Sequence, residues 1–460
     1  MSEGSPETVF AKRRQAVIVI HGIGEQRPMN TLRAFVTAVL GVDADANAET
    51  NAFYSKPDSF SDSFELRRLT THESRPRTEF FEFYWAHRMP VASWSRILEW
   101  LRVLVFRRRR AVPPKFRGLW WTTWIVIVLV ALDLLASILF FAFPALRPSL
   151  LSGNAVSWPI GIVLPLAVLQ AVILAYVGDA AIYLSPSPRN IETRHSIRSA
   201  GVDLLRKLHD CGEYDRIVMV GHSLGSVIGY DILTYAWQYF HDAHGCVDHP
   251  KNDALKAAQK AAADLKRGSA DAGEAWRQAS TALWLERRAD RCPWLVTDFV
   301  TLGSPLGHGD LLLANSTADF RRRVRERELP TCPPELEKGD VFSFPVHYQT
   351  ESGDRRTTYV PHHAACFAVT RWTNLYFPNR WFLRGDFVGG PLVPLFGQGV
   401  RDVPVATSKR SGWLAHTNYW KRDPRDDDKA DAPVARLREA LDLRQEFQRK
   451  RTQPYRAGHT

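Results

Sequence analysis

The sequence predicts an α/β protein whose mostly parallel central sheet is flanked by helices and interrupted by a two-helix transmembrane hairpin. Three observations support this prediction: an early β-branched run that ends in His-Gly, a second such run that passes through a glycine-flanked serine into a helical pattern, and two long apolar segments between them. Strand patterns that alternate with helical patterns are typical of parallel sheets. An apolar segment of about 20 residues is long enough to cross a bilayer as a helix.

Composition narrows the class of protein. The chain has 460 residues, 45% of them hydrophobic and 24% charged, which is typical of a folded protein larger than one average domain. Its five cysteines are scattered and form no C-x-x-C pair, so we expect reduced thiols and no metal site. Although the net charge is +11, no nucleic-acid-binding motif accompanies it, so we expect no nucleic-acid partner. We also expect no cofactor, and the oligomeric state stays open.

The segment IVMVGHSLGSVIGYD, residues 217–231, has the pattern of a nucleophile elbow. Arg216–Val220 is rich in β-branched residues and predicts a strand, and the residues after Ser223 carry apolar side chains at helical spacing. A serine on so sharp a strand-to-helix turn needs small residues two positions before and after it, and Gly221 and Gly225 meet that need. Ser223 is therefore the candidate nucleophile.

The first β-branched run, AVIVI, ends in the letters HGIG, which predict a glycine-containing loop after an early strand. Acyl transfer needs two backbone N–H groups directed at the oxyanion, one from the residue after the nucleophile and one from such a loop. Leu224 would supply the first, and Ile23 or, with less support, Gly22 would supply the second. His21 precedes Gly22 and His222 precedes Ser223, and we expect both to contact the substrate. The alternative for His222, inside the elbow, is a structural role.

The two segments AVIVIHGIGEQRP and RIVMVGHSLGSVIGYD resemble those of the α/β-hydrolase superfamily, in particular its lipase and serine-esterase branches. The resemblance implies an α/β-hydrolase fold and a triad in the chain order serine, acid, histidine. SGWLAHTNYW resembles the late segment of lipases, which implies that His416 is the general base. RWTNLY followed by GDFVG resembles the lipase pattern for the triad acid, which implies Asp386. Asp310, in the loop after FVTLGSPLG, remains the rival acid.

The resemblance implies a serine hydrolase that cleaves carboxylic esters through an acyl-enzyme. An acyl-thioesterase or an acyltransferase would use the same triad, and a catalytically idle hydrolase-like fold that serves as a membrane scaffold is a further alternative. A site fixed at a bilayer would meet acyl chains at high local concentration, so we expect a lipid ester or another acyl ester as substrate.

Two apolar segments, Leu119–Phe143 and Val156–Val177, each have the length of a membrane span. Arginines precede the first and follow the second, so the positive-inside rule predicts a two-pass integral membrane protein with both termini and the catalytic domain in the cytoplasm. The membrane would then be a partner, with anionic headgroups at the basic flank. Asp133 in mid-span costs about 2.5 to 3.5 kcal/mol on insertion scales. The alternative is that both segments are buried helices of a soluble core.

These patterns predict the organisation of the whole chain. Residues 1–90 form the first part of the hydrolase domain with the oxyanion loop, 91–118 an interfacial basic amphipathic helix, 119–178 the transmembrane hairpin, 179–241 the core with the elbow, 242–293 a helical insertion that could cap the site, 294–421 the core with acid and histidine, and 422–460 a charged tail.

Overall fold

A computed structural model describes much of the chain. The described residues are 14–23, 27–41, 52–61, 63–72, 76–89, 102, 105–143, 183–184, 188–269, 271–378, 385–407, 415–421, 424–426 and 429–444.

These residues divide into two compact units. The first comprises the described parts of Met1–His87, His195–Gly309 and Arg322–Thr460, and it contains the central sheet. The second comprises the described parts of Arg88–Arg194 and Asp310–Arg321.

The first unit is built on an eight-stranded sheet, with a separate two-stranded hairpin. The strands are β1 (Arg14–Ile20), β2 (Phe53–Pro57), β3 (Arg67–Thr71), β4 (Arg77–Phe83), β5 (Arg216–His222), β6 (Val296–Leu302), β7 (Ser343–Gln349), β8 (Arg355–Pro361), β9 (Arg371–Tyr376) and β10 (Arg401–Pro404). The order in the large sheet is β10-β9-β6-β5-β1-β4-β3-β2. Strands β10 through β4 in that order are parallel, β3 and β2 are antiparallel at one edge, and β7 pairs with β8.

Helices flank this sheet, which confirms the predicted α/β class. Within the described residues the helices are α1 (Asn30–Leu40), α2 (Arg117–Ala142), α3 (Ile191–Asp210), α4 (Leu224–Trp237), α5 (Asp253–Lys266), α6 (Ala272–Ala289), α7 (Gly309–Leu312), α8 (Thr317–Arg325), α9 (Val393–Phe396) and α10 (Pro433–Leu441).

Apolar side chains cover the sheet on both faces. Val19 of β1 shares a buried cluster with Phe35 of α1 and Leu437 of α10. The next residue, Ile20, points to the opposite face, where a methyl group on Gly229 of α4 would lie 3.2 Å from its Cδ1 atom. Burial on both faces explains why the central strands appear in the sequence as nearly continuous apolar runs.

The register of the parallel strands brings four loops to one edge of the sheet. Ile20 pairs with Gly221, His222 pairs with Leu302, and Leu302 pairs with Leu375. The loops after β1, β5, β6 and β9 therefore leave the sheet side by side. The carboxyl edge of a parallel sheet is where α/β proteins place their ligands.

Alternating polar and apolar residues in the sequence predict strands at Phe64–Thr70 and Thr78–Tyr84. The structure has β3 at Arg67–Thr71 and β4 at Arg77–Phe83, so the first strand begins three residues later than predicted. The letters CFAVTRWTNLY, residues 366–376, predict one strand, but the segment begins with a 3-10 turn at Cys366–Ala368, and β9 starts at Arg371. The amide of Thr370 donates to Cys366 O (3.1 Å), a turn bond that replaces strand pairing at this point.

The insertion at residues 242–293 contains helices α5 and α6, which pack against each other. The carboxylate of Glu286 accepts hydrogen bonds from the amides of Ala254 (2.8 Å) and Leu255 (3.1 Å) at the start of α5. Such a side chain satisfies amides that have no partner inside the helix. Helix α6 also contacts β9 and the turn at Cys366–Ala368, so the insertion packs on the sheet.

The predicted two-pass membrane topology is wrong. In the part of the chain that the structure describes, no helix has both the length and the apolar character that a membrane crossing requires. The first predicted span corresponds to helix α2, which carries Asp133 among its apolar residues. The cytoplasmic placement of both termini and of the catalytic domain rested on this topology and is withdrawn with it. The second predicted span, Val156–Val177, lies outside the described residues.

In the second unit, two 3-10 turns precede helix α2, at Arg109–Ala111 and Pro114–Phe116. The indole N–H groups of Trp120 and Trp124 both donate to Val105 O, at 2.9 and 3.2 Å. These contacts fix the first turns of α2 against the preceding segment. Most of the earlier half of the predicted interfacial helix at 91–118 lies outside the described residues.

A buried ion network fastens the amino-terminal ends of the strands to helix α10. Arg216 donates to Asp298 Oδ2 (2.5 Å) and to Leu441 O (3.0 Å), and Arg371 donates to Asp298 Oδ1 at 2.6 Å. The side chains of Arg216 and Asp298 are 1% and 5% exposed. Burial alone would raise the pKa of Asp298, but Arg371 and Arg216 outweigh it and hold that pKa below its usual value.

We predict that Asp298→Asn destabilises the protein by about 3–5 kcal/mol, because it leaves two guanidinium groups without their shared buried carboxylate. Denaturant unfolding at neutral pH measures this loss. Glu213→Gln is the matched control, since its pair with Arg14 is 44% and 39% exposed and should contribute at most about 1 kcal/mol. Equal effects of the two substitutions would contradict the stabilising role of the network.

Candidate active site

Ser223 lies on a sharp turn between β5 and α4. Its backbone has φ +52° and ψ −128°, a positive-φ conformation that a side chain disfavours. The turn is held by hydrogen bonds from Ser223 N to Leu302 O (2.9 Å) and from Ser226 N to Ser223 O (2.9 Å). The hydroxyl of Ser226 also donates to Ser223 O (2.6 Å) and lies 2.6 Å from the hydroxyl of Ser304. Strain of this kind persists only where the surroundings fix the backbone.

The glycines at positions 221 and 225 are needed for steric reasons, as the sequence predicts. A methyl group on Gly225 would lie 2.3 Å from Ile20 O and 2.4 Å from His21 O. A methyl group on Gly221 would lie 2.5 Å from the Cα atom of Ser226. Because these neighbours are backbone atoms, a side chain at either glycine cannot be accommodated by a rotamer change.

The loop after β1 lies directly against the serine. A methyl group on Gly22 would lie 2.8 Å from Ser223 Cβ, so the residue at position 22 must be glycine or the loop must move. Leu224 is the first residue of helix α4, where backbone N–H groups have no partner within the helix. Ile23 follows Gly22 in the same loop. The two predicted oxyanion donors therefore come from segments that meet at Ser223.

His21 lies in the interior beneath this loop. Its ring stacks on Trp85 with centroids 5.0 Å apart, Trp85 Nε1 donates to His21 O (3.0 Å), and His21 Nδ1 contacts Gly22 O at 2.8 Å. Burial lowers the pKa of His21 to about 4, so its ring is neutral at physiological pH. These contacts shape the loop that carries Gly22 and Ile23.

Asp386 and His416 form a buried acid–base pair. His416 Nδ1 donates to Asp386 Oδ2 at 2.9 Å. The other carboxylate oxygen accepts the amides of Val388 (2.8 Å) and Gly389 (2.9 Å). Burial alone would raise the pKa of Asp386, but hydrogen bonds, led by the one from His416, outweigh burial and hold that pKa below its usual value. Asp386 is therefore ionised and oriented toward His416.

Tyr419 is a part of the site that the sequence did not reveal. Its hydroxyl donates to Asp386 Oδ2 at 2.7 Å and accepts from the amide of Phe377 at 3.2 Å. The side chain is fully buried. It lies three residues after His416 and was visible in the sequence only as one of an aromatic pair. Its hydrogen bond to Asp386 becomes apparent only from the position of the loop that carries Asp386.

Gly303 is a second residue that sequence reasoning missed. It follows β6, its φ is +57°, and a methyl group on it would lie 2.8 Å from Asp386 Oδ2 and 3.0 Å from His416 Nδ1. Any side chain at position 303 would occupy the place of the acid–base pair. The Gly-Ser-Pro letters after the strand were the signal that could have found it.

The loop that carries Asp386 is anchored by two polar side chains on neighbouring strands. Asn374 of β9 donates to Gly390 O (3.0 Å) and to Asp402 Oδ1 (2.7 Å). Asp402 of β10 accepts the amides of Leu392 (3.0 Å) and Val393 (2.9 Å). The end of the loop is thus tied to the sheet.

Ser223 and the acid–base pair lie at the same carboxyl edge of the sheet, where Leu302 and Gly303 connect them. The amide of Ser223 bonds to Leu302 O, and the next residue, Gly303, contacts both members of the pair. Within the described residues, the hydrogen bonds of His416 run to Asp386 and His222, and its ring has none to Ser223 Oγ. Catalytic hydrogen bonds are often long in unliganded enzymes and tighten when substrate binds.

The rival acid, Asp310, lies in other surroundings. Its carboxylate accepts the hydroxyl of Thr317 at 2.9 Å, and both residues belong to the second compact unit. The acid that contacts His416 is Asp386. Among the described residues, no group of three or more His, Cys, Asp or Glu side chains is placed to hold a metal ion.

Comparisons of the chain with protein-family models, with curated proteins and with solved structures returned no match. The geometry of the site therefore carries the functional argument by itself.

We predict that Gly225→Ala destabilises the protein by at least about 1–3 kcal/mol, the cost of overpacking against rigid neighbours. The matched control is Gly273→Ala in helix α6, where a methyl group would meet nothing within 4 Å and should be neutral or mildly stabilising. Thermal and denaturant unfolding of both variants measure the difference. A Gly225→Ala protein as stable as the control would contradict the close approach of α4 to β1.

We predict that Tyr419→Phe raises the pKa of Asp386, because a donor to the charged form is removed. The stabilisation that depends on ionised Asp386 is present above its unfolded pKa and is lost as pH falls through its folded pKa. The variant should therefore lose stability at a higher pH on the acid side than the unmodified protein, and should be about 1.5–3 kcal/mol less stable at neutral pH. Unfolding measured from pH 3 to pH 8 tests this, and superimposable curves would contradict it.

Proposed function

We propose that the chain is a serine hydrolase of the α/β-hydrolase fold that cleaves carboxylic esters. The observation that carries the proposal is the buried contact between Asp386 and His416, at the same sheet edge as a strained serine on a strand-to-helix turn. Serine, acid and histidine follow β5, β9 and β10 in the chain order of that superfamily. The pairing of the strands does not require the acid–base contact or the strained turn.

In the proposed reaction, Ser223 Oγ attacks the ester carbonyl carbon while His416 Nε2 takes the seryl proton. Asp386 holds the imidazole through Nδ1–H and stabilises the imidazolium that forms. The N–H groups of Leu224 and Ile23 stabilise the oxyanion of the tetrahedral intermediate. His416 then returns the proton to the departing alcohol, which leaves an acyl group on Ser223.

The second half of the reaction releases the acid. His416 takes a proton from a water molecule as that water attacks the acyl carbonyl, and the proton then passes to Ser223 Oγ as the ester bond to the serine breaks. The net reaction consumes one ester and one water, yields one acid and one alcohol, and needs no cofactor.

The substrate class is proposed as carboxylic esters without a fixed chain length. The expectation of a lipid ester depended on the predicted bilayer anchor. Because the two-pass topology is wrong, that expectation has no remaining support. Esters of short and long acids, acyl thioesters and alcohol acceptors distinguish an esterase, a thioesterase and an acyltransferase, since all three would use Ser223 in the same way.

We predict that the protein hydrolyses a series of 4-nitrophenyl esters and that Ser223→Ala lowers kcat about 10⁶-fold. Asp386→Asn should lower kcat about 10⁴-fold, since the imidazole loses the partner that fixes its tautomer. Asp310→Asn is the matched control and should leave kcat unchanged. Steady-state kinetics of the purified variants provide the measurement.

Two results would contradict the proposal. If no ester or thioester is turned over by the folded protein, the site is idle and the scaffold alternative is favoured. If Asp310→Asn abolishes turnover and Asp386→Asn does not, the acid is wrongly assigned.

A further inference from the structure

The side chain of His222 lies between the segments that flank the nucleophile. His222 directly precedes Ser223 and is 7% exposed. Its Nε2 atom lies 2.8 Å from His416 O. Because a carbonyl oxygen can only accept, Nε2 carries the proton and donates it. One hydrogen bond therefore joins the residue before the nucleophile to the backbone of the base.

The ring of His222 is also confined on its other sides. A methyl group on Gly22 would lie 3.0 Å from its Nδ1 atom, so that edge of the ring faces the oxyanion loop. The indole of Trp420 stands edge-on to the ring with centroids 4.7 Å apart. Its contacts leave the imidazole little freedom to turn away from His416.

The segment that carries His416 has little regular secondary structure to hold its backbone. Ala415–Thr417 is a single 3-10 turn, and turns of this length do not hold their geometry by themselves. The side chain of His416 is fixed by Asp386 and its carbonyl by His222. The two bonds together determine where the free Nε2 atom of His416 points.

We propose that His222 is a positioning residue that sets the separation between Ser223 Oγ and the His416 ring through its hydrogen bond to His416 O. This inference rests on the proposed function, because the separation matters only if His416 removes the seryl proton. It differs from the expectation that His222 contacts the substrate, since it assigns the side chain to the backbone of the base.

The donor on His222 is present at physiological pH. Burial, and next to it the neighbouring His416, lowers the pKa of His222 to about 3. The ring is therefore neutral at physiological pH, where its Nε2 keeps the proton that it donates to His416 O.

Two variants of equal length separate the hydrogen bond from the packing. In His222→Gln the amide nitrogen can occupy the place of Nε2 and donate to His416 O, whereas His222→Met fills the same space without a donor. Displacing a reacting group by about 1 Å can cost up to about 100-fold. We expect His222→Met to lower kcat for the best ester by about 10- to 100-fold with little change in KM, and His222→Gln to keep most of the activity.

His209 supplies the control for the loss of a buried neutral histidine. Its Nδ1 contacts Leu205 O (2.7 Å), its Nε2 accepts the amide of Leu295 (3.0 Å), and burial lowers its pKa to about 4. His209→Met should lower the midpoint of thermal unfolding without changing kcat per folded molecule. The proton on the His416–Asp386 hydrogen bond, followed by proton NMR, should shift in His222→Met but not in His209→Met.

The outcomes separate this inference from the proposed function. If the unmodified protein hydrolyses esters and folded His222→Met has the same kcat and the same proton shift, the positioning role is overturned and the function stands. An equal loss in His222→Gln and His222→Met would also overturn it, because the donor would not be the cause. If the unmodified protein hydrolyses no ester, both proposals are overturned.

Discussion

The arrangement of the site depends on how closely helix α4 approaches the end of strand β1. Gly225 lies against the carbonyl oxygens of Ile20 and His21, so closely that no side chain fits between them. Because β1 continues into the Gly22 loop and α4 begins directly after Ser223, this one contact fixes the serine relative to the loop. The strained backbone of Ser223 costs about 1–3 kcal/mol, which the hydrogen bond from Ser223 N to Leu302 O and those from Ser226 to Ser223 O offset.

The carboxylate of Asp386 places one negative charge directly beside His416. The carboxylate of Asp386 accepts four hydrogen bonds, from two backbone amides, from Tyr419 and from His416. The nearby rings of His21 and His222 are held neutral by burial. In so dry an environment an imidazolium at His416 would be stabilised mainly by Asp386, which is the condition that base catalysis requires.

The parts of this arrangement that depend on local pattern could be predicted from the sequence. The strand before Ser223 and the helix after it follow from β-branched and apolar periodicity, and the need for glycine at 221 and 225 follows from the turn itself. The contact of Asp386 with His416 was expected from resemblance alone, because the two residues are separated by a segment without regular periodicity. The Gly-Ser-Pro letters after β6 indicate a turn, but the role of Gly303 does not follow from them, because it depends on β6 ending beside the acid–base pair.

The membrane prediction failed for a related reason. The prediction relied on the apolar length of Leu119–Phe143 and accepted the cost of Asp133 in mid-span, but no described helix has the length and apolar character of a span. The turn at Cys366–Ala368 was missed because its apolar residues suit a strand and a buried turn equally well. In both segments the apolar letters indicated burial. They did not determine whether the segment forms a membrane span, a strand or a buried turn.

The proposed role of Ser223 is that of a nucleophile activated by His416 and Asp386. It is tested most directly by treating the native protein with a fluorophosphonate and locating the adduct by peptide mass spectrometry. The account predicts a single adduct on Ser223 that is absent after Ser223→Ala and forms much more slowly after His416→Gln. An unlabelled native protein, or an adduct on another residue with Ser223 unmodified, would contradict it.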